Sequence, residues 1–260
     1  MEDEKKIKDG FLLKIDSIRK KTHGYSLFLK NNDVIVALNN ELFTFGENAL
    51  IEQLQETNNI KKKKILTICR DNIFFDVIAT RSLGCKFTST NDIENKDIQK
   101  KFSEKKIYDY EDLKEFTVFR DLSNNFDCIK NSNSIIPGLF PPLWLAYEQK
   151  WWLLGLFTVL STLLLSVNFW LFLIGWLSIC IYCYKGQSNL LFSFALLSGK
   201  AFCMKIASPD IHLAHKTIRS LYPKSKFKYS KLENPTFENE EHDNNSKIEN
   251  NIDETNKALV

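Results

Sequence analysis

The sequence predicts an α+β protein in two parts. A small β-rich domain, a barrel or sandwich with one main helix, precedes an α-helical two-span transmembrane hairpin with flanking interfacial helices and a disordered tail. Three observations carry this. Residues 11–79 show short apolar runs between Asn-rich turns, with one amphipathic stretch among them. Trp151–Tyr184 holds 34 residues without a charged side chain, and a spanning helix needs only about 20. From Glu233 the chain is acidic, Asn-rich and poor in large apolar residues, which predicts disorder over 232–260.

In chain order, residues 1–9 are polar, and MEDEKKIKDG carries no apolar region, which argues against a cleavable signal peptide. Phe11–Ile18 mixes apolar and polar positions as a strand does. Val34–Ala37 is a second short β-prone run between Asn-rich turns. In 46–57, Leu50 and Leu54 fall one turn apart beside Ala49, a helical stripe. Lys61–Lys64 reads as a solvated loop. Residues 65–79 read as a hairpin turning at Asp71-Asn72.

Residues 88–132 are charged and read as a linker, with a short helix near Asp97–Glu104. Ile135–Lys150 contains Pro137, Pro141 and Pro142 and reads as an interfacial approach to the bilayer. The uncharged run is too long for one helix: 34 residues would make a rod of about 50 Å against about 30 Å of hydrocarbon. Ser166-Val167-Asn168 interrupts it, giving spans at about 151–167 and 169–184. Trp151, Trp152, Tyr182 and Tyr184 suit an aromatic belt, and the flanking Lys150, Lys185, Lys200 and Lys205 place both termini on the cytoplasmic side. Asn189–Ile206 reads as an interfacial helix, closing a membrane domain over 133–206. Residues 207–231 form a basic juxtamembrane segment, in which Lys216, Arg219, Lys224, Lys226, Lys228 and Lys231 are the candidate contacts for anionic lipid headgroups.

Net charge is +3 and the six cysteines are scattered, as in a reduced compartment. Cys180-x-x-Cys183 lies inside the apolar run, and His212 and His215 lack a third ligand, so neither is read as a metal site. No nucleophile–base pair or phosphate loop stands out, and the expectation is a non-enzyme without cofactor or nucleic-acid partner.

Leu29-Lys30-Asn31-Asn32-Asp33-Val34-Ile35-Val36-Ala37-Leu38-Asn39-Asn40 resembles the PDZ pattern Leu-x-x-Gly-Asp-x-Ile-x-x-(Val/Ile)-Asn-Gly, with Asn32 and Asn40 in place of two glycines. The helix and the 65–79 hairpin continue the resemblance over 10–87. It implies a peptide groove: a carboxylate loop at Gly10, Phe11, Leu12 and Leu13, an edge at Leu13–Ile18, and a wall carrying Leu50 and Leu54. The ligand is then a protein or peptide C-terminus, the chain's own Lys257-Ala258-Leu259-Val260 among the candidates. Pro142-Leu143-Trp144-Leu145-Ala146-Tyr147-x-x-x-Trp151-Trp152-Leu153 resembles the bacterial membrane family called domain of unknown function 2628, with Glu148 where members carry a basic residue. Together they imply a multi-pass bacterial inner-membrane scaffold or adaptor; the alternatives are a structural protein assembling through its hairpin and a small transporter component.

Overall fold

The computed structural model describes residues 10–60, 63–131, 134–233 and 235, side chains of 56–60 excepted. The elements run β1 (Leu13–Ile18), α1 (His23–Ser26), β2 (Val34–Leu38), β3 (Glu41–Leu42), α2 (Gly46–Ile60), β4 (Lys64–Arg70), β5 (Ile73–Ala79), β6 (Cys85–Ser89) and α3 (Asp92–Ser103). After a 3-10 turn at Tyr110–Asp112 come β7 (Lys114–Arg120), β8 (Asn125–Lys130), α4 (Ile136–Leu139), α5 (Pro141–Tyr147), α6 (Trp151–Val167) and α7 (Phe169–Leu197). The last elements are β9 (Ala201–Ser208), α8 (Ile211–Leu221) and β10 (Lys226–Phe227).

The early strands form where the sequence alternates. Asp71 and Asn72 have φ of 50° and 62°, so the β4–β5 hairpin closes through a turn with two left-handed residues. Asn32 and Asn40, both at φ 71°, take the left-handed conformation at the ends of β2 that asparagine tolerates. The strands beyond β5 depart from expectation. One ten-stranded sheet runs β10-β8-β7-β9-β5-β4-β2-β1-β6, with β3 paired to β2. Among the described residues only the β10–β8 pairing is parallel.

A separate small PDZ-like domain is therefore overturned. The supposed linker 88–132 supplies α3, β7 and β8, while β9, expected inside an interfacial helix, sits mid-sheet between β7 and β5. The physical reason is burial. Alternate residues of the strands build one core across both halves of the sheet: Leu13, Ile35, Leu66 and Phe75 from the first half, Phe116, Val118, Met204 and Ile206 from the second. Leu50 and Leu54 of α2 and Ala214 and Ile218 of α8 cover it. On the opposite face, Ile98 and Phe102 of α3 pack against Val34, Val36 and Cys69. Residues far apart in sequence, such as Phe75 and Met204, thus share one apolar core.

The two-span hairpin is also corrected. Among the described residues one helix, α7, is long and apolar enough to cross a membrane. Helix α6 has 17 residues, about 25 Å at 1.5 Å per residue, against roughly 30 Å of hydrocarbon. The break at Asn168 does occur, and its side-chain oxygen accepts from the Trp170 amide to start α7. But α7 does not stop at Tyr184. It continues through Lys185 to Leu197, because Gln187, Leu191, Phe194 and Ala195 are buried against the rest of the protein. With that count the multi-pass inner-membrane placement, with both termini cytoplasmic, loses its basis.

Candidate membrane-facing site

Residues 131–200 are an insert in the sheet. The chain leaves β8 at Lys130, beside Phe116 of β7, and returns at Ala201, beside Arg120 of the same strand. Both ends of the insert are therefore fixed to one sheet. Helix α6 has no buried residue, and in α7 burial begins at Cys180. Between them an apolar surface is left uncovered: Leu163 is 58 % exposed, Leu177 62 % and Trp170 72 %. The two helices touch at Phe157 and Trp176, whose rings meet edge-on at 5.5 Å, and at Gly175, where an added Cβ would lie 3.0 Å from Leu164. Four of their hydroxyls bond within the helices. Thr158 donates to the Leu154 carbonyl, Thr162 to Thr158, Ser166 to Leu163 and Ser178 to Ile174. A helix in hydrocarbon needs that, since no water is present to take the bonds.

The root is packed and polar. Gly138 lies under Tyr184, where a Cβ would come within 2.8 Å, so α4 sits tightly on α7. The Ser134 amide donates to Gln187 Oε1 at 2.7 Å. Trp144 and Leu145 of α5 bury against Cys183, Leu191 and Phe194, with Ile129 tying the cluster to β8. Lys200 forms an ion pair with Asp127. Gly199, at φ 77°, ends the helix, and the Lys200 amide closes back on the Ala195 carbonyl. Lys150 lies 5.7 Å above the Phe194 ring. Burial pushes the Glu148 carboxyl up, opposed by the Lys150 charge. Exposed Tyr147, Trp151, Trp152 and Tyr182 surround this root, the residue types that sit at headgroup level.

The six candidate lipid contacts do not form one patch. Lys228 reaches the root, donating to Gln149 Oε1 at 3.1 Å. Arg219 is used by the fold: it donates to Ser225 Oγ and the Glu233 carbonyl and lies 5.7 Å over the Phe227 ring. Lys216 is exposed on α8, across the sheet from the insert root. Lys224 and Lys231 are exposed near the C-terminal end, and Lys226 is half-buried in β10. Sequence reasoning does not find Gln149 and Asp127 as root residues, nor the pairing of Lys200 with Asp127. The Gly199-Lys200 helix stop, followed by alternation at Phe202, Met204 and Ile206, is the available signal.

The peptide groove is not open where the resemblance placed it. β1 pairs with β2 on one side and with β6 on the other, from Leu13↔Ser89 to Ile18↔Cys85. Leu12, Leu13, Leu50 and Leu54 are core side chains, each at most 1 % exposed. Gly10 is exposed and Phe11 half-buried. The loop's backbone is occupied: the Gly10 amide donates to the Thr44 carbonyl, and the Leu12 amide to Asn95 Oδ1. Val260 and the tail from 236 lie outside the described residues.

His215 stacks on Phe227 with ring centroids 4.2 Å apart, and burial lowers its pKa to about 4. Among the described residues no group of three metal-ligating side chains converges. No model of a known protein family matches the chain, and no curated protein sequence matches it.

Proposed function

We propose that this chain is a membrane-anchored adaptor, with its mixed α/β body held on one face of a bilayer by the 131–200 insert. The observation that carries the anchoring is the uncovered apolar surface of α6 and the first half of α7, set above a root ringed by Trp, Tyr and Lys. Because β8 and β9 flank β7 in one sheet, both ends of the insert are fixed to the same body. The binding half of the reading rests on β6. The sheet ends there, and among the described residues no strand covers its outer edge. Such an edge accepts an extended partner segment by main-chain pairing. Strand addition thus moves one strand outward from the position the sequence resemblance implied. The test is flotation of the full-length protein with phosphatidylcholine vesicles. The reading expects co-flotation that resists alkaline carbonate and yields to detergent. A protein that stays monodisperse without detergent and sediments apart from vesicles overturns it.

A further inference from the structure

A cationic and aromatic corner lies at the end of the sheet where β4, β7 and α8 finish. Arg70, the last residue of β4, is 6 % exposed. Its Nε and Nη2 donate to the two oxygens of Asp33, both at 2.7 Å, and Nη2 also to the Phe28 carbonyl. The planar fork then leaves Nη1 on the side away from Asp33, where it is buried and has no hydrogen-bond partner. Burial works against the Arg70 charge, and the hydrogen-bonded Asp33 carboxylate more than offsets it, with Tyr222 close by. Lys30 is exposed and donates to the same hydroxyl at 3.2 Å. Arg120, exposed at the end of β7, has its guanidinium 5.9 Å from the Tyr222 ring and 6.0 Å from that of Phe126.

Three cations thus converge on one phenol. The two nearby carboxylates are turned to other hydrogen-bond donors, and neither forms an ion pair with Lys30 or Arg120. Asp33 is held by Arg70 and also accepts from the Lys30 amide, and Asp121, next to Arg120, accepts from the backbone and side-chain nitrogens of Asn125. The residue just past α8, Tyr222, is what that element presents to the corner. Arg70 is neutralised by Asp33, but Lys30 and Arg120 meet at the phenol with no ion pair of their own among the described residues; an anion that joins them relieves their repulsion, and a forked guanidinium suits phosphate oxygens.

We infer that Lys30, Arg120 and Tyr222, backed by Arg70, form a binding site for a phosphate-bearing anion. The phosphate sits against the Tyr222 hydroxyl between the Lys30 ammonium and the Arg120 guanidinium, with the Arg70–Asp33 ion pair behind them and the Arg70 Nη1 on the side away from Asp33. The shared chemistry is the phosphate group, whether it belongs to a soluble compound or to a lipid headgroup. The site stands on geometry outside the insert and does not depend on bilayer insertion.

The experiment is a calorimetric titration of the full-length protein in detergent micelles with inorganic phosphate. Lys30→Gln, Arg120→Gln and Tyr222→Phe are compared with Lys114→Gln, an exposed control at the opposite end of β7. A charged hydrogen bond lost at the site corresponds to about tenfold weaker binding or more, so each of the two charge variants weakens phosphate by about tenfold while the control does not. A second arm uses nanodiscs of phosphatidylcholine with or without phosphatidic acid. A response to phosphatidic acid that Arg120→Gln abolishes, with no binding of free phosphate, makes a lipid headgroup the source; binding of free phosphate makes the source soluble. Failure of both probes to bind saturably, or equal weakening by Lys114→Gln, overturns the site. Vesicle flotation remains as before in either case, which separates this outcome from failure of the anchoring.

Discussion

Replacing Ile218 by Ala tests whether the regions before and after the insert fold as one body. Ile218 is fully buried on α8, which packs across β5, β8 and β9, and it belongs to the core that also contains Phe75, Val77 and Met204. The substitution removes three carbons, about 2.4 kcal/mol of transfer free energy at roughly 0.8 kcal/mol each. The cavity left behind adds to this, and Ile→Ala changes in cores cost about 2–5 kcal/mol. Taking about 3 kcal/mol, amides that exchange only through global unfolding should exchange roughly a hundredfold faster. The assay is hydrogen exchange read by mass spectrometry on the full chain in detergent, with peptides from β4 and β5 monitored. Those strands end some 139 residues before the substituted position, so their acceleration reports a shared core. If β4 and β5 keep their protection while only α8 loosens, the N-terminal strands are autonomous and the single-body account fails.

Asp33→Asn leaves Arg70 a buried charge without its counter-ion, and chemical denaturation should show a loss of about 3–5 kcal/mol. Gly84→Ala should destabilise by about 1–3 kcal/mol, since Gly84 has φ 67° and a Cβ there would lie 2.6 Å from Thr22 Cγ2. Gly10→Ala, at φ 86° in open space, should cost less in the same thermal melts. His23 and His215 each have a pKa lowered from 6.5 to about 4, mainly by burial. Because the folded pKa lies below the unfolded one, the unfolded chain takes up protons first as pH falls. Stability should therefore be intact above pH 6.5 and decline toward pH 4, by up to about 3 kcal/mol per histidine. His215→Gln should flatten that decline, and a pH-independent melting temperature between 6.5 and 4 would count against it.

The sequence shows what depends on near neighbours. Hydrophobic alternation and the Asp71-Asn72 turn place β4 and β5, and the Leu50–Leu54 stripe places α2. It also shows the apolar run and its break at Asn168, because a capping Asn inside an uncharged stretch has few other readings. What it conceals is partner choice. Nothing local to Leu13–Ile18 says that β6, more than sixty residues later, takes the edge a ligand would need. The same holds for β9. Its Phe202, Met204 and Ile206 alternate, yet they come so soon after an apolar helix that hydropathy blends the two. The segment of α8 draws the eye by its charge, although Ile211, Ala214, His215 and Ile218 mark a helical face behind an Asp210 cap. In 88–132 the charged residues fall at exposed strand positions such as Lys114 and Arg120, and they mask the inward Phe116 and Val118. The corner of Lys30, Arg70, Arg120 and Tyr222 gathers residues up to 192 positions apart, which no linear spacing announces.

The most direct measurement of the central account is spin-label accessibility in nanodiscs. Labels at Leu163 and Leu177 on the insert are compared with labels at Leu122, fully exposed in the β7–β8 turn, and Lys216 on α8. The account predicts that the two insert positions relax with oxygen and are shielded from an aqueous nickel chelate, while Leu122 and Lys216 show the reverse. Insert labels as open to the nickel chelate as those on the body would contradict membrane anchoring by the 131–200 insert.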